Sequence, residues 1–309
     1  MVNELLEVLL IAVILDRVFG EPSNTFHPIA YLGKIIGFFM KRFSNNKFHG
    51  ILIYFIVVVP VVTLIFVISN IGSFPLNLLF GSVVLKLQLS WRGLWDHARP
   101  VVDLLNIGDL EAARKKVVSL VGRKTSSLNN KHVVSATVES IGESIVDGIL
   151  APLFYFTIFG LAFGLPYGLA AATLYRVTNT LDSMVGYKKQ GINHLGFFSA
   201  RMDDVLNYIP ARIGAVLLIV SSLFLRENWK NAITVYQRDK CKTQSPNSGH
   251  TIAVVAGALD VELEKIGFYR IGENKESIKV RHIYRAMRLV NLSTTLAILL
   301  ISLLLWMVG

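Results

Sequence analysis

The sequence predicts an all-α, polytopic integral membrane protein, and two observations support that fold class. The chain is 53% hydrophobic and only 17% charged, whereas soluble domains carry about 25% charged residues. Three long uncharged runs approach or exceed the roughly 20 residues that a crossing helix needs: 51–69, 148–175 and 289–309. Only helices and closed barrels satisfy the backbone in lipid, and the alternating pattern of a barrel is absent.

We expect a single membrane-embedded domain over 1–309 with about four to five embedded segments, some of them re-entrant. The apolar segments in chain order are about 5–15, 51–69, 71–85, 148–175, 213–225 and 289–309. The polar segments between them are predicted to be mainly helical and cytoplasmic, namely 86–147, 176–212 and 226–288. Turn-forming residues make 226–288 the most mixed of these.

The first long apolar stretch is predicted to form a hairpin. Runs 51–69 and 71–85 are separated by a short uncharged link, whereas the flanking segments 16–49 and 86–147 are rich in Lys and Arg. Basic loops favour the cytoplasmic side of a membrane. The link therefore faces outward in this prediction, and both flanks face the cytoplasm.

The run 148–175 conflicts with the positive-inside rule if it crosses the membrane once, because a single crossing would place the basic segment 176–212 on the outer side. Helix-disrupting residues interrupt this run: Pro152, Gly160, Gly164, Pro166 and Gly168. Two halves of about 10–12 residues are too short to cross but suit a re-entrant hairpin, and so does the 13-residue run 213–225. The alternative is a set of ordinary crossings with a weak charge bias.

The net charge of +10 has two interpretations. A nucleic-acid-binding protein would need a basic stripe with aromatic residues on a soluble fold. Beside such apolar runs, the positive-inside rule is the better explanation, so we expect contact with membrane lipid and none with nucleic acid. The start, MVNELLE, lacks the positive charge of a signal peptide, and the single Cys241 excludes an intramolecular disulfide.

The stretch ARMDDVLNYIPAR has the clearest chemical character. Asp203 and Asp204 lie one helical turn from Asn207, and such oxygen ligands suit a Mg²⁺ ion that bridges phosphates. Arg201 and Arg212 flank them, and arginine favours fork-like contacts to phosphate. An interfacial helix with snorkelling arginines explains the pattern equally well.

Carboxylates recur in VESIGESIVDGILAP, just before the run 148–175. Glu139, Glu143 and Asp147 follow one another at four-residue spacing, so they share one helical face. Because like charges at this spacing repel, we expect cations or a metal opposite them.

Other polar stretches are individually weaker signals. Asp182 precedes Gly186 and Lys188 in a stretch that could bind phosphate or simply connect helices. Arg123 and Lys124 lie in VGRKTSS, which lacks the pattern of a phosphate loop. His27 and His97 are isolated histidines, and SPNSGH (245–250) is a polar turn.

Taken together, these stretches occur in the order seen in one family. They are GEPSNTFHPIAYLGKII, HARPV, EAARKKVVSLVGRKTSSL, VESIGESIVDGILAPLFYF, YRVTNTLDSMVGYKK, LGFFSARMDDVLNYIPAR and SPNSGH. Over about 15–290 the chain resembles the adenosylcobinamide-phosphate synthases of cobalamin biosynthesis, the CobD/CbiB family. It departs from the family pattern at Ser144, where the family usually has Asn, and at Glu21, where it usually has Asp.

The resemblance implies an ATP-dependent, Mg²⁺-requiring ligase. It would join aminopropanol, or its O-phosphate, to the free propionate carboxyl of adenosylcobyric acid. The site would lie on the cytoplasmic side of the cell membrane, and other corrinoid-pathway enzymes could be partners. Two alternatives are a membrane transporter and a non-catalytic scaffold for corrinoid enzymes.

Residue roles implied by the resemblance fall into three groups. The expected Mg²⁺ ligands are Asp182, Asp203 and Asp204. The expected phosphate or nucleotide contacts are Arg123, Lys124, Arg176, Lys188, Arg201, Arg212 and Asn207. The expected catalytic residues are Glu139, Glu143, Asp147 and His97. One of the three carboxylates would be the base, or they would form a second metal site, and His97 and His27 would contact substrate.

Overall fold

Helices dominate the computed structural model, which describes residues 2–22, 25, 27–122, 124–186 and 194–309. Their bounds are α1 (Val2–Phe19), α2 (Pro28–Arg42), α3 (Lys47–Ile71), α4 (Phe74–Gln88), α5 (Trp91–Asn106), α6 (Leu110–Val117), α7 (Asn130–Ile145), α8 (Ala151–Phe163), α9 (Leu165–Val185), α10 (Phe197–Leu206), α11 (Tyr208–Phe224), α12 (Trp229–Asp239), α13 (Ser248–Ala258) and α14 (Arg281–Val308). A π-helical turn, Val146–Leu150, joins α7 to α8. Two short strands, β1 (Glu262–Lys265) and β2 (Tyr269–Gly272), complete the fold.

The elements pack into two units, each built from discontinuous parts of the chain. Unit 1 comprises Met1–Ser90, Ala151–Asn207 and Leu300–Gly309. Unit 2 comprises Trp91–Leu150 and Tyr208–Leu299. Residues that are far apart in the sequence therefore share a core in each unit.

Several helices have the length and composition of membrane spans. Among the described residues three qualify, Lys47–Ile71, Asn130–Phe163 and Arg281–Val308, and a fourth arises if α10 and α11 form one broken span. On α3 the apolar side chains of Phe55, Val59 and Leu64 are 49%, 51% and 58% exposed. An apolar surface of this kind is expected where a helix meets lipid. The number of four to five embedded segments, and re-entry itself, stay predictions.

The break predicted between 51–69 and 71–85 is present. Helix α3 ends at Ile71 and α4 begins at Phe74. Asn77 closes the junction by donating its side-chain amide to the Gly72 carbonyl at 3.0 Å. A Cβ on Gly72 would lie 2.1 Å from the Asn77 side-chain oxygen, so a larger residue here would displace the Asn77 side chain.

The apolar run 148–175 is broken at Gly164, where α8 gives way to α9. Gly164 has a φ of 100°, in the region that glycine adopts without steric cost. The two helices then pack so closely that a Cβ on Gly168 would lie 2.6 Å from the Phe156 carbonyl oxygen. The prediction of two halves of 10–12 residues underestimated the helix lengths, because both helices continue into polar residues. Helix α9 has 21 residues, and α8 continues from α7 in a 34-residue helical stretch.

Unit 1 has a core in which α2, α3, α9 and α10 meet. Tyr54 of α3 is buried and packs edge-on against Phe198 of α10, with ring centroids 4.9 Å apart. Its hydroxyl group bonds with Thr178 Oγ1 of α9 at 2.9 Å. These contacts fix α9 beside α10, the two helices that hold all three predicted metal ligands.

Unit 2 contains the one departure from an all-α fold within the described part of the chain. Strands β1 and β2 pair antiparallel, with Glu262 opposite Gly272. The turn between them includes Gly267, with a φ of 78°. Ser135 of α7 accepts the Glu264 backbone N–H at 2.8 Å. The four-residue strands are too short to produce a recognisable alternating pattern, so the prediction of helix and turns for this part of 226–288 was wrong.

Candidate functional site

A group of acidic and amide side chains from α9 and α10 forms the centre of the candidate site in unit 1. Asp203 accepts two hydrogen bonds, one from the Asn179 side-chain amide at 3.1 Å and one from the Asn207 side-chain amide at 3.0 Å. Asn207 is only 3% exposed, and its Oδ1 accepts the Tyr175 hydroxyl at 2.8 Å. Asn179 of α9 thus orients one carboxylate oxygen of Asp203, and Asn207, at the end of α10, orients the other.

Two further carboxylates surround Asp203. The charges of Asp182, on α9, and of Asp204, the next residue of α10, both act on the Asp203 carboxylate. Like charges near one another repel, and a bound cation would balance them. We call Asp182, Asp203 and Asp204 the acidic group, because the charges of the other two predicted metal ligands reach the Asp203 carboxylate.

The acidic group is not a preformed metal cage. Among the described residues, no group of three or more His, Cys, Asp or Glu side chains has the arrangement of a metal site. Mg²⁺ does not require such a cage, because proteins usually hold it through one or two carboxylates, water and substrate phosphates. A carboxylate fixed by two amides beside other carboxylates therefore fits a Mg²⁺ ion that arrives with a nucleotide.

The predicted cationic residues of unit 1 differ in their surroundings. Arg201 is exposed on α10 and lies over the ring of Phe197, 5.8 Å from its centroid. Lys47 lies over the same ring at 4.6 Å. Arg176 of α9 has a buried Nε. Lys188 lies outside the described residues.

His27 has a structural role at the start of α2. Its Nδ1 accepts the Ile29 backbone N–H at 3.2 Å and so caps the helix. Burial lowers the pKa of His27, Glu21 opposes this shift, and the cations Arg176 and Lys86 reinforce it. The ring is therefore neutral near pH 7.

In unit 2, the three carboxylates of the predicted stripe have different environments. Glu139 is 5% exposed and accepts hydrogen bonds from Ser135 at 2.9 Å and from the Tyr269 hydroxyl of β2 at 3.0 Å. Glu143 is exposed, whereas Asp147 is half-buried and lies in the π-helical turn. Such turns often occur at functional sites. The even stripe expected from a regular helix is therefore not formed.

Arg212 of α11 contacts the polar turn SPNSGH in unit 2. Its guanidinium donates to Asn247 Oδ1 at 3.2 Å and stacks 3.4 Å from the centroid of the Tyr208 ring. Gly214, two residues later, lies close to Val146 and Thr251. The close approach at Gly214 brings α11 against both the π-helical turn and α13.

His250 belongs to the same basic neighbourhood. It is 5% exposed, and its Nδ1 bonds with the Tyr236 hydroxyl at 3.0 Å. Burial lowers the pKa of His250 to about 4, and the positive charges of Arg212 and Lys240 add to this effect. His250 is thus a neutral group beside two cations at neutral pH.

The remaining predicted residues lie apart from these contacts. His97 is exposed on α5 and bonds with the Gly93 carbonyl, one turn earlier, at 2.7 Å. Lys124 is exposed in the segment before α7. Arg123 lies outside the described residues.

Sequence reasoning missed the supporting residues more than the charged ones. Asn179 and Tyr175 hold Asp203 and Asn207, yet neither was singled out. The three-residue spacing from Asn179 to Asp182 would have placed both on one face of α9. Asn247 and His250 lay in a stretch whose polarity was noticed, but its contact with Arg212 spans 35 positions of sequence.

Comparisons with known proteins agree on one family. The family described as CobD/Cbib protein matches residues 9–290. A probable cobalamin biosynthesis protein CobD of Methanothermobacter thermautotrophicus is 39% identical over 289 residues, covering 94% of each chain. The cobalamin biosynthesis protein CobD of Dehalococcoides mccartyi is 39% identical over 297 residues, covering 93% of each. The probable CobD protein of Methanocaldococcus jannaschii is 36% identical over 310 residues, covering 97% of this chain and 98% of the relative. No solved structure matches the chain.

Proposed function

Because the chain belongs to the CobD/Cbib protein family, we propose that it acts in cobalamin biosynthesis as an ATP-dependent ligase that forms an amide bond. The acid is the free propionate carboxyl of adenosylcobyric acid, and the amine is aminopropanol or its O-phosphate. The observation that carries the proposal is the acidic group, in which Asp203 is oriented by Asn179 and Asn207. The family name indicates a step of cobalamin biosynthesis. The candidate site for magnesium and a nucleotide favours a step that uses a nucleotide.

The chemistry requires activation of the acid. A carboxylate is a poor electrophile at neutral pH, so a propionate oxygen first attacks the γ-phosphorus of ATP, and ADP leaves. The amine then attacks the carbonyl carbon of the acyl phosphate, and the C–O bond to phosphate breaks with its electron pair. A base takes the proton that the amine nitrogen loses.

The acidic group would hold Mg²⁺ in this scheme. Asp203 and Asp204 are the proposed direct ligands, with Asp182 as a third or a water-mediated one. Bound Mg²⁺ would neutralise part of the phosphate charge. Asn207 and Asn179 keep the Asp203 carboxylate in one orientation, so the site pays little reorganisation cost when the nucleotide arrives.

The proposed base is one of the carboxylates that precede α8. Glu139 is only 5% exposed and is held by Ser135 and Tyr269, and this burial favours a supporting role for the residue. Glu143 is exposed and Asp147 lies in the π-helical turn. We therefore assign the base to Glu143 or Asp147.

Phosphate contacts by Arg201, Arg212, Lys188, Arg123 and Lys124 remain part of the proposal. Arg212 has the strongest support, since Asn247 and the Tyr208 ring orient its guanidinium. An oriented arginine can bind phosphate with less loss of side-chain freedom.

One assay tests the proposal against its alternatives. Purified protein in detergent is incubated with adenosylcobyric acid, Mg-ATP and either aminopropanol or its phosphate, and the corrinoid products are identified by mass. An amide product that requires both amine and ATP supports the ligase. Binding without product favours a scaffold, and transport of a corrinoid into vesicles containing the protein favours a transporter; either result, without amide formation, refutes the ligase.

A further inference from the structure

A second cluster of charged side chains lies in unit 1, away from the residues assigned above to magnesium. It comprises Asp16 of α1, Glu21 just after α1, His27 before α2, Lys86 of α4 and Arg176 of α9, and we call it the inner ionic cluster. Asp16 is fully buried and Lys86 is only 7% exposed. Burial of ionised groups is expensive unless they are paired or bind something, so this cluster requires an explanation.

Part of the cluster is balanced internally. The negative charges of Asp16 and Glu21 both act favourably on Lys86. Glu21 also accepts a hydrogen bond from the Ser90 hydroxyl. The acidic members therefore already have cationic and hydroxyl partners, and the cluster offers no surplus negative charge for a cationic ligand.

The hydrogen bonding of Arg176 is incomplete. Its Nε is buried, and no acceptor for it exists among the residues that the structure describes. A buried donor without an acceptor costs about 1–3 kcal/mol, and native proteins rarely leave one unsatisfied. An acceptor supplied by a ligand would remove that cost.

His27 offers a second donor beside Arg176. Its Nδ1 accepts the Ile29 N–H, so the neutral ring carries its proton on Nε2. Among the charges that act on His27, the negative charge of Glu21 is the largest, and the positive charges of Arg176 and Lys86 follow. Two N–H donors and a nearby ammonium group thus belong to one neighbourhood.

We propose that the inner ionic cluster is a binding subsite for an oxyanion, a phosphate ester or a carboxylate, that belongs to one substrate of the ligase. Arg176 and His27 are the donors, and Lys86, held by Asp16 and Glu21, supplies positive charge. Guanidinium groups suit both phosphate and carboxylate oxygens. This inference rests on the proposed function, since it requires a substrate that carries such a group.

The position of Arg176 on α9 connects this subsite to the acidic group. Asn179, which donates to Asp203, follows Arg176 by three residues and is its neighbour on the helix surface. The backbone of Arg176 therefore lies about one helical turn, roughly 5 Å along the axis, from that of Asn179.

Equilibrium binding to the purified full chain in detergent tests the subsite. Dissociation constants are measured for Mg-ATP, adenosylcobyric acid, aminopropanol phosphate and aminopropanol, with wild type and with Arg176→Gln. We expect the variant to weaken binding of one oxyanion-bearing ligand at least tenfold and to leave aminopropanol binding unchanged. The ligand affected identifies the source of the oxyanion: the nucleotide, the propionate or the amine phosphate.

Two further variants separate binding from folding. Arg176→Lys keeps the charge but loses the planar fork, so we expect an intermediate affinity. His27→Asn keeps a side-chain acceptor for the Ile29 N–H, as asparagine is a good helix cap, but removes the Nε2 donor, so we expect a loss of affinity for the same ligand. If Arg176→Gln does not fold, these two variants test the subsite instead: each should weaken binding of one oxyanion-bearing ligand and leave aminopropanol binding unchanged.

The control is Arg42→Gln, which removes an exposed arginine at the end of α2. It should bind all four ligands within twofold of wild type. Equal affinities of all variants for every ligand would show that the cluster is only structural and would overturn the inference. Binding can be measured without turnover, so the two proposals are tested separately. If wild-type protein binds the ligands but forms no amide, the ligase proposal is wrong. If turnover is normal but Arg176→Gln binds every ligand as wild type does, only the subsite proposal is wrong.

Discussion

Asn207 donates its side-chain amide to Asp203 Oδ2 at 3.0 Å, across the last turn of α10. The same asparagine is buried and accepts the Tyr175 hydroxyl of α9 at 2.8 Å. A residue that we selected as a nucleotide contact thus serves in the structure to orient a neighbouring carboxylate.

We expect Asn207→Ala to lower turnover at least tenfold, because Asp203 loses a donor and Tyr175 loses its acceptor. Loss of these buried bonds should also cost about 1–3 kcal/mol of stability, measured as a lower melting temperature in detergent. Val205→Ala, at an exposed position of the same helix, is the matched control. Normal turnover of Asn207→Ala would show that Asp203 does not need this support.

Asp203→Asn and Asp204→Asn should each reduce turnover about 100-fold, the order of loss expected when one electrostatic contribution to catalysis is removed. The Mg²⁺ concentration that gives half-maximal rate should rise in the less impaired variant. Titration of the rate with Mg²⁺ measures both effects. Wild-type turnover and Mg²⁺ response in both variants would make the metal assignment wrong.

Glu139 and Glu143 should respond differently to substitution. Tyr269→Phe removes the hydroxyl that Glu139 accepts and should lower stability by about 1 kcal/mol with kcat nearly unchanged. Glu143→Gln and Asp147→Asn should leave stability nearly unchanged, and the variant that removes the base should lower kcat at neutral pH about 100-fold. A large kcat loss in Tyr269→Phe, with neither of the other two affected, would reverse the assignment.

Stability should fall in mild acid because of His250. Its pKa is about 4 in the folded chain, against an ordinary value of 6.5, so the unfolded chain takes up the proton first as pH decreases. The contribution of His250 to the free energy of unfolding is fully present above pH 6.5. It decreases by up to about 3 kcal/mol as the pH falls from 6.5 to 4. His250→Gln, which does not titrate, should show a smaller fall in melting temperature over that range; an identical fall in both proteins would exclude His250 as the cause.

Cys241 offers a direct test of membrane orientation, because it is the single cysteine of the chain and is exposed. Segment 226–288 is predicted to be cytoplasmic, so a membrane-impermeant maleimide should label Cys241 only after cells are opened. In a Cys241→Ser background, Asn70→Cys at the predicted outer link should be labelled from outside intact cells. The opposite labelling pattern would reverse the predicted orientation.

Composition alone was sufficient to predict helices that suit a membrane, since long uncharged runs have few other uses. The breaks near Gly72 and at Gly164 were also predictable, because glycine and proline act locally on the backbone. Element lengths were predicted less well. Helix α9 continues through polar residues beyond the apolar run, where it packs against α3 and α10, and it ends at Val185, just before Gly186.

The sequence by itself was enough to identify the family and to predict the long apolar helices and the three aspartates of the acidic group, because these depend on residue types and short spacings. Only the tertiary structure decided which side chains support which. Tyr269 bonds with Glu139 across 130 positions and Tyr175 with Asn207 across 32, and no local pattern specifies such pairs. The physical reason is that a buried polar group takes its partner from whatever the packing of distant segments places beside it, and that packing follows from the whole core.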